Sequence, residues 1–567
     1  MTRLLAGLWC LSIMAGIGGN AMAAPTDRPN VLIIYFDDMG WGDMGANAPT
    51  DHAIPEDSQY LDPQVPTLMP HLDAFAAQAM RFTNGHSADG VCTPSRYALM
   101  TGRYCWRTRL KKGVNGGYTP TLMEPDRLTI GKMFQSRGYS TAMVGKWHIG
   151  MQFHDSANRP VKGNLGNRSD VLEKNLIDFS KPVTDTPIHN AGFDVFFGTP
   201  ASLDMPPYVW LQSNGDAVRV MSQGGVVRDG EVDFSKARGA TNDDLVERQN
   251  FKRSVGIATR AGVHDPTFDL RDYLQIQAQK VCDLIHQFDD ESEPFFIYVP
   301  MPAPHTPHAV QDQFVGSAGW TYGDYVVQTD HYTGQILDAL GDPTDGNSIA
   351  AETVVFISSD NGPENGAYHT SLEVDHDANG PYAGRKRDNY EGGTRVPFLV
   401  RWPGVIQPGS VTDHLCWQGD FIATMADHLG IPLGPDDAPD AESFLPVLKG
   451  QPMPTQRRPA IIQHSSRGQF AIVDQSGEWK LLDGTGGGGN GTTCDADDQE
   501  TLRAGKIRET PRQLFRLSVD PGERNNLLND PDQAATDKES ELYELLNRIR
   551  GDQEFGTDGN SQVPRPQ

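Results

Sequence analysis

Six consecutive apolar residues, Val31-Leu32-Ile33-Ile34-Tyr35-Phe36, run straight into two carboxylates, Asp37-Asp38. A run without alternation suits a strand covered on both faces, because a half-exposed strand would carry a polar residue at every second position. Similar runs recur at Thr141–Val144, Phe295–Val299, Thr353–Ile357 and Phe398–Val400. Helical spacing lies between them. Leu72, Phe75, Ala76, Ala79 and Met80 follow Pro70, and further helical patterns cover Tyr273–Phe288 and Val326–Leu340. Strands alternating with helices predict an α/β fold, a large, mostly parallel mixed sheet sandwiched by helices. With 38% hydrophobic residues in 567, the chain can fill the core that such a sandwich needs.

The rest of the chain is read around that sheet. Residues from about Asp155 to Pro266 are polar, rich in Gly, Asn and Asp, and weakly periodic, which predicts insertions over the sheet edge. Proline and charge rise around Pro432–Pro454, a plausible boundary. Beyond it, Gln469–Val473, Trp479–Leu482 and Leu514–Val519 read as strands, with a four-glycine loop at 486–489 between the last two. Ser540–Ile549 reads as a closing amphipathic helix. The expected division is a catalytic unit over 24–445 and a smaller C-terminal α+β subdomain over 446–567, an antiparallel sheet plus helix.

Residues 1–23 look like a secretory signal peptide: Arg3, an apolar run from Leu4 to Ile17, and the small-x-small site Ala21-Met22-Ala23. No later segment has the length and apolarity of a membrane anchor, so a secreted or periplasmic chain is expected. A net charge of −26 argues against nucleic-acid binding, since a polyanion meets repulsion over most of the surface. Of six cysteines, Cys10 leaves with the signal peptide, and Cys92, Cys105, Cys282, Cys416 and Cys494 remain. In an oxidising compartment five is an odd number, and no C-x-x-C pair suggests zinc.

Two of the apolar strands end in acid or amide groups, Asp37-Asp38 and Asp360-Asn361. Ligands of open α/β sheets gather beyond the carboxyl ends of strands, and three carboxylates with one amide oxygen suit a hard cation such as calcium. Either pair alone is equally a turn starter. The segment Cys92-Thr93-Pro94-Ser95-Arg96 offers a thiol at a helix start, with Pro94 in the first turn and amide N–H groups that favour an anion. Its bland reading is a Cys92–Cys105 disulfide or a buried thiol.

This segment resembles the Cys-x-Pro-Ser/Ala-Arg motif of type I, formylglycine-dependent sulfatases, of the alkaline phosphatase superfamily. Further resemblances follow in the family's order: Gly145-Lys146-Trp147-His148, Pro304-His305-Thr306-Pro307-His308, Gly384-Arg385-Lys386, Tyr390-Glu391-Gly392-Gly393-Thr394-Arg395 and the ending Asp520-Pro521-Gly522-Glu523-Arg524-Asn525-Asn526-Leu527. The resemblance implies that a maturation enzyme converts Cys92 to Cα-formylglycine, which also explains the odd cysteine. It implies one calcium ion held by Asp37, Asp38, residue 92, Asp360 and Asn361. Lys146 and Lys386 would neutralise sulfate, Arg96 would orient residue 92, His305 would protonate the leaving oxygen, and His148 would act as the base that expels sulfate. Ala201–Tyr208 and Tyr322–Tyr325 resemble bacterial arylsulfatase-A-like enzymes, with Asp204 and His308 as expected substrate contacts. A sulfated carbohydrate is the implied substrate, cleaved by an exo-acting 6-O-sulfatase of galactose or N-acetylgalactosamine units. Two alternatives stay open: a phosphoester hydrolase of the same superfamily, and an inactive carbohydrate-binding homologue.

Overall fold

The computed structural model describes residues 27–248, 259–488, 512–528, 530 and 532–551. The expected signal peptide, Cys494 and the end of the four-glycine loop lie outside them. An eleven-stranded sheet forms the centre. From one edge its strands are Arg238–Gly239, Ala217–Ser222, Trp210–Asn214, Val195–Thr199, Ser140–Lys146, Phe295–Pro304, Asn30–Asp37, Thr353–Ser359, Phe398–Arg401, Met80–Phe82 and Val411–Thr412. The five from Val195–Thr199 to Thr353–Ser359 are mutually parallel.

The strand Asn30–Asp37 shows why its sequence lacks alternation. Val31, Ile33 and Tyr35 enter one core with Leu99 and Met100 of the helix Cys92–Thr101 and Phe421 and Ile422 of the helix Asp420–His428. Leu32, Ile34 and Phe36 enter a second core on the other face, with Ile276 and Leu284 of the helix Tyr273–Asp289 and Tyr325 and Val326 of the helix Thr321–Asp338. All six are fully buried, and each contributes roughly 1.5–3 kcal/mol of transfer free energy.

One expectation is corrected. The stretch from Asp155 to Pro266 does not merely lie over the sheet edge; it supplies four strands of the central sheet, one of them parallel. These strands are short, and those beyond Val195–Thr199 are partly exposed. In Ala217–Ser222 only Val218, Val220 and Ser222 are buried, so the two-residue period is diluted by the surrounding Gly, Asn and Asp.

The C-terminal residues form a four-stranded antiparallel sheet, Ala460–His464, Phe470–Asp474, Trp479–Asp483 and Gln513–Arg516, covered by the helix Gln533–Arg550. Ile461, Ile472, Leu481, Leu542 and Leu546 share one core with Ala98, Tyr104, Trp106, Tyr390 and Trp417 from the earlier part of the chain. This sheet therefore braces the helix that starts at Cys92 and the loop that carries Lys386.

Candidate active site

The carboxyl ends of the parallel strands converge on one buried pocket. Asp37 is the last residue of its strand, and the chain turns at Asp38 with a left-handed φ of 65°. The Asp38 amide donates to Asp360 Oδ1 at 3.1 Å and the Met39 amide to Ser359 Oγ at 3.0 Å, so the two acidic loops fix each other. Asn361 Nδ2 donates to Asp38 Oδ1 at 2.7 Å. Its Oδ1 is buried and meets no donor.

Cys92 opens the helix Cys92–Thr101, and every residue of that helix is buried. Pro94 sits in its first turn, where its missing N–H costs nothing. The Cys92 Sγ donates to Asp37 Oδ1 at 3.5 Å. One helical turn on, Arg96 forks onto Asp360 Oδ2, at 3.0 Å from Nε and 2.8 Å from Nη2, and lies 3.6 Å from Asp37 Oδ1. Lys146, at the end of its strand, contacts Asp37 Oδ2. Lys386 reaches Asp38 Oδ2 at 2.6 Å and lies 3.6 Å from Glu364. His305 gives Nδ1 to the Thr306 carbonyl, which leaves Nε2 3.7 Å from Asp38 Oδ2.

His148 adopts a φ of 56°, and Thr93 Oγ1 donates to its carbonyl at 2.8 Å, which places it beside residue 92. Its Nε2 is 2.8 Å from the Asn115 carbonyl, while Nδ1 is buried with no partner. The carbonyl can only accept, so Nε2 carries the hydrogen and Nδ1 keeps its lone pair. Burial, then Lys146 and Arg96, hold His148 well below the usual histidine range. It is therefore a neutral base at pH 7.

The other titrating groups follow from burial and charge. Burial opposes ionisation of Asp37, but Lys146, His305 and Arg96 outweigh it and hold the carboxyl well below the usual range. Burial and the Asp37 charge push Asp360 up to about 7 against the pull of Arg96. Burial drives the Cys92 thiol well above the ordinary range, so the encoded thiol is a poor nucleophile. Asp37, Asp38, Cys92 and His305 offer ligand atoms within 4.8 Å of one another. With the donorless Asn361 Oδ1 and a carboxyl at 360 that a nearby cation would keep ionised, the residues fit a hard divalent ion.

The pocket thus gathers Asp37, Asp38, Cys92, Arg96, Lys146, His148, His305, Asp360, Asn361 and Lys386. Two expected substrate contacts stand apart from this set. His308 packs its ring against Tyr322 and Tyr325, 5.3 and 5.9 Å between centroids, and burial lowers it to about 4. Asp204 is paired with Arg260, while its Oδ1 is buried without a donor. The described cysteines, Cys92, Cys105, Cys282 and Cys416, are all free thiols, so Cys92 and Cys105 are not bridged. Three contributors were not anticipated: Glu364 and Arg387, 2.7 Å apart and next to Lys386, and Asn115, which sets the His148 tautomer. Glu364 follows Asp360-Asn361-Gly362-Pro363 and Arg387 follows Lys386, so adjacency was the available clue.

A family model described as Sulfatase matches residues 29–431. The N-acetylgalactosamine-6-O-sulfatase of Bacteroides thetaiotaomicron is 29% identical, over 93% of this chain and 94% of that one. Bovine arylsulfatase A is 30% identical, over 93% and 88%. A solved structure from work on glycosaminoglycan metabolism by Bacteroides thetaiotaomicron superposes with a TM-score of 0.68 at 27% identity, covering 93% of this chain and all of that one.

Proposed function

The chain belongs to the sulfatase family and is a sulfuric ester hydrolase, and from this we propose that it removes a 6-O-sulfate group from galactose or N-acetylgalactosamine units of a sulfated polysaccharide or glycosaminoglycan. The observation that carries the reading is the buried contact between Cys92 and Asp37, set between two lysines that each hold a carboxylate. The hexosamine substrate rests on the bacterial N-acetylgalactosamine-6-O-sulfatase, which aligns over nearly its whole length.

A sulfate ester is anionic and its leaving group is a poor alkoxide, so the site must supply charge, a nucleophile and a proton. Calcium held by Asp37, Asp38, Asp360 and Asn361 would add positive charge beside residue 92. Cys92, converted to formylglycine by a maturation enzyme and hydrated by water to a gem-diol, would furnish one hydroxyl to attack sulfur and a second whose deprotonation releases sulfate and restores the aldehyde, in place of a thiol that burial keeps protonated. Arg96 fixes the carboxylates around residue 92, and Lys146 and Lys386 offer their ammonium groups to the sulfate oxygens. His305, with Lys386, delivers a proton to the departing sugar oxygen from Nε2. His148 then accepts a proton at Nδ1 from residue 92, and sulfate leaves. Asp204 and His308 are read as sugar contacts, through the donorless Asp204 Oδ1 and the donorless His308 Nε2.

The division into a catalytic unit over 24–445 and a supporting subdomain over 446–567 is part of the same reading, as is export directed by residues 1–23. Among the described residues no helix is long and apolar enough to cross a membrane. The test compares turnover of nitrophenyl sulfate, nitrophenyl phosphate and N-acetylgalactosamine 6-sulfate by the matured enzyme. Release of sulfate from the sugar is expected, with phosphate turnover far slower. A strong phosphate preference would overturn the proposal.

A further inference from the structure

A basic run, Arg107-Thr108-Arg109-Leu110-Lys111-Lys112, interrupts a chain that has 74 acidic residues against 48 lysines and arginines. Most of its side chains are held by the fold. Arg107 pairs with Asp440 at 2.7 Å, Arg109 Nη2 reaches the Pro120 carbonyl, and Lys111 Nζ donates to the Trp106 carbonyl at 2.7 Å. Lys112 is exposed and, among the described residues, meets no acceptor. The same is true of Arg467, in the hairpin turn between the strands Ala460–His464 and Phe470–Asp474.

The backbone brings these two cations together beside the sulfate pocket. The Ser466 amide donates to the Arg387 carbonyl at 3.0 Å, and the Ser466 carbonyl accepts from the Gly113 amide at 2.9 Å. The turn is therefore wedged between the loop that carries Lys386 and the end of the basic run. Gly468 closes it with a φ of 86°, and a Cβ there would lie 3.3 Å from the Lys111 carbonyl oxygen and 3.9 Å from Lys112 Cβ. Position 467 thus adjoins Lys112. Three residues after Lys112, the Asn115 amide donates to Thr93 Oγ1 at 3.1 Å and the Asn115 carbonyl accepts from His148 Nε2 at 2.8 Å. Three residues of chain span at most about 11 Å, so Lys112 stands no farther than that from the segment that holds both His148 and the neighbour of Cys92.

Inside the pocket, Lys146 and Lys386 are 0% and 3% exposed and each is joined to a carboxylate. Exposed cations without a counter-charge are the ones that a dissolved anion meets first, and two of them side by side repel each other until it arrives.

We propose that Lys112 and Arg467 form a cationic rim that binds a second anionic group of the substrate, a carboxylate or sulfate on the sugar unit next to the one being desulfated. This deepens the function proposed above and rests on it. The rim supplies an attraction that the surface as a whole opposes, so a glycan bearing two anions is preferred over one bearing a single sulfate.

The experiment measures kcat/KM of the full-length matured enzyme and of the double variant Lys112→Gln, Arg467→Gln at low and at physiological salt. The substrates are three disaccharides of N-acetylgalactosamine 6-sulfate, in which the neighbouring sugar is neutral, a uronate, or sulfated. The unmutated enzyme is expected to prefer the charged pair, and the double variant to lose about tenfold of that preference. Turnover of the charged pair by the variant should also fall less steeply with salt. Whichever charged disaccharide shows the larger change identifies the anion bound. Equal losses on all three substrates would make the two residues mere braces of the hairpin and overturn the proposal. A preference absent from the unmutated enzyme, or unchanged in the variant, would overturn it too. Should the unmutated enzyme release sulfate from none of the three, the substrate reading itself falls, and this proposal with it.

Discussion

Replacing Lys480 with Met is expected to destabilise the joint between the Lys386 loop and the C-terminal sheet, by an amount that grows with pH. Lys480 is fully buried, with Nζ 2.8 Å from Glu391 Oε1 and 2.9 Å from Glu523 Oε1. Glu391 also accepts from Arg395 Nε at 2.6 Å, and its own amide donates to Glu523 Oε2 at 2.6 Å. Burial, reinforced by the Glu391 charge and opposed by Lys480, raises Glu523 from 4.5 to about 7. Burial works against ionisation of Glu391 too, but Arg395, Lys480 and His86 hold it well below the usual range. At pH 5.5, then, Glu523 carries a proton and Glu391 alone needs a cation, which Arg395 still supplies in the variant. At pH 8.5 both carboxylates are charged and Lys480 is indispensable. Removing one partner of a buried pair costs about 3–5 kcal/mol, the size expected at pH 8.5, against about 1–2 kcal/mol at pH 5.5. Between 4.5 and about 7 the folded protein binds more protons than the unfolded chain at Glu523, so this group lowers stability as pH rises through that window. In the variant the folded value moves higher, and the loss continues beyond it. Urea midpoints at the two pH values, read by circular dichroism and by the fluorescence of tryptophans such as Trp479, give the difference. A penalty below about 1 kcal/mol at pH 8.5, or one equal at both pH values, would refute this account of the cluster.

Cys92→Ser is expected to fold normally and to lose about a thousandfold or more in kcat, because one hydroxyl cannot both attack and release sulfate; mass spectrometry of the peptide holding residue 92 should show the aldehyde in active wild type. An alkylatable, unmodified Cys92 in active enzyme would contradict that. His148→Ala should lower kcat about 10²–10⁴-fold with a smaller change in KM, as for loss of a general base, read by steady-state kinetics. Chelation should abolish sugar desulfation and calcium should restore it, while Asn361→Ala should raise the calcium concentration needed; calcium should also tighten inhibition by inorganic sulfate, since a cation on Asp37 and Asp38 frees Lys146 and Lys386 for an anion.

The strands covered on both faces could be read in the sequence because both faces demand apolar residues; Val31 to Phe36 divides cleanly between two cores. The strands on the far side of Ser140–Lys146 could not. Val195–Thr199 and Ala217–Ser222 are short, and their polar neighbours resemble loop sequence. Helix centres were legible and their ends less so: the closing helix begins at Gln533, seven residues before its apolar spacing becomes evident. At the site, Asp37, Asp38, Asp360 and Asn361 stood out because they end apolar runs. The pairing of Asp204 with Arg260, 56 residues along the chain, left no local trace. Nor did the Asn115 carbonyl that decides the His148 tautomer, since a backbone acceptor has no residue-type preference.

Charge balance explains why the individual residue types were easier to read than their arrangement. Among the described residues, four carboxylates, Asp37, Asp38, Asp360 and Glu364, and four cations, Arg96, Lys146, Lys386 and Arg387, stand around residue 92, each joined to at least one opposite charge. These eight groups balance one another when all are ionised, so on a chain of net charge −26 they provide little long-range attraction for a sulfate ester. One divalent ion among the carboxylates tips the pocket to positive and loosens the hold of Asp37 and Asp38 on the two lysines. On the proposed function, the lysines that would recognise sulfate are the groups paired with the carboxylates that would hold the metal, so altering one function would alter the other. Sequence displays each lysine and each aspartate separately; only their contacts reveal that a cation taking the carboxylates would release the lysines for an anion, which would make the two binding events mutually supporting.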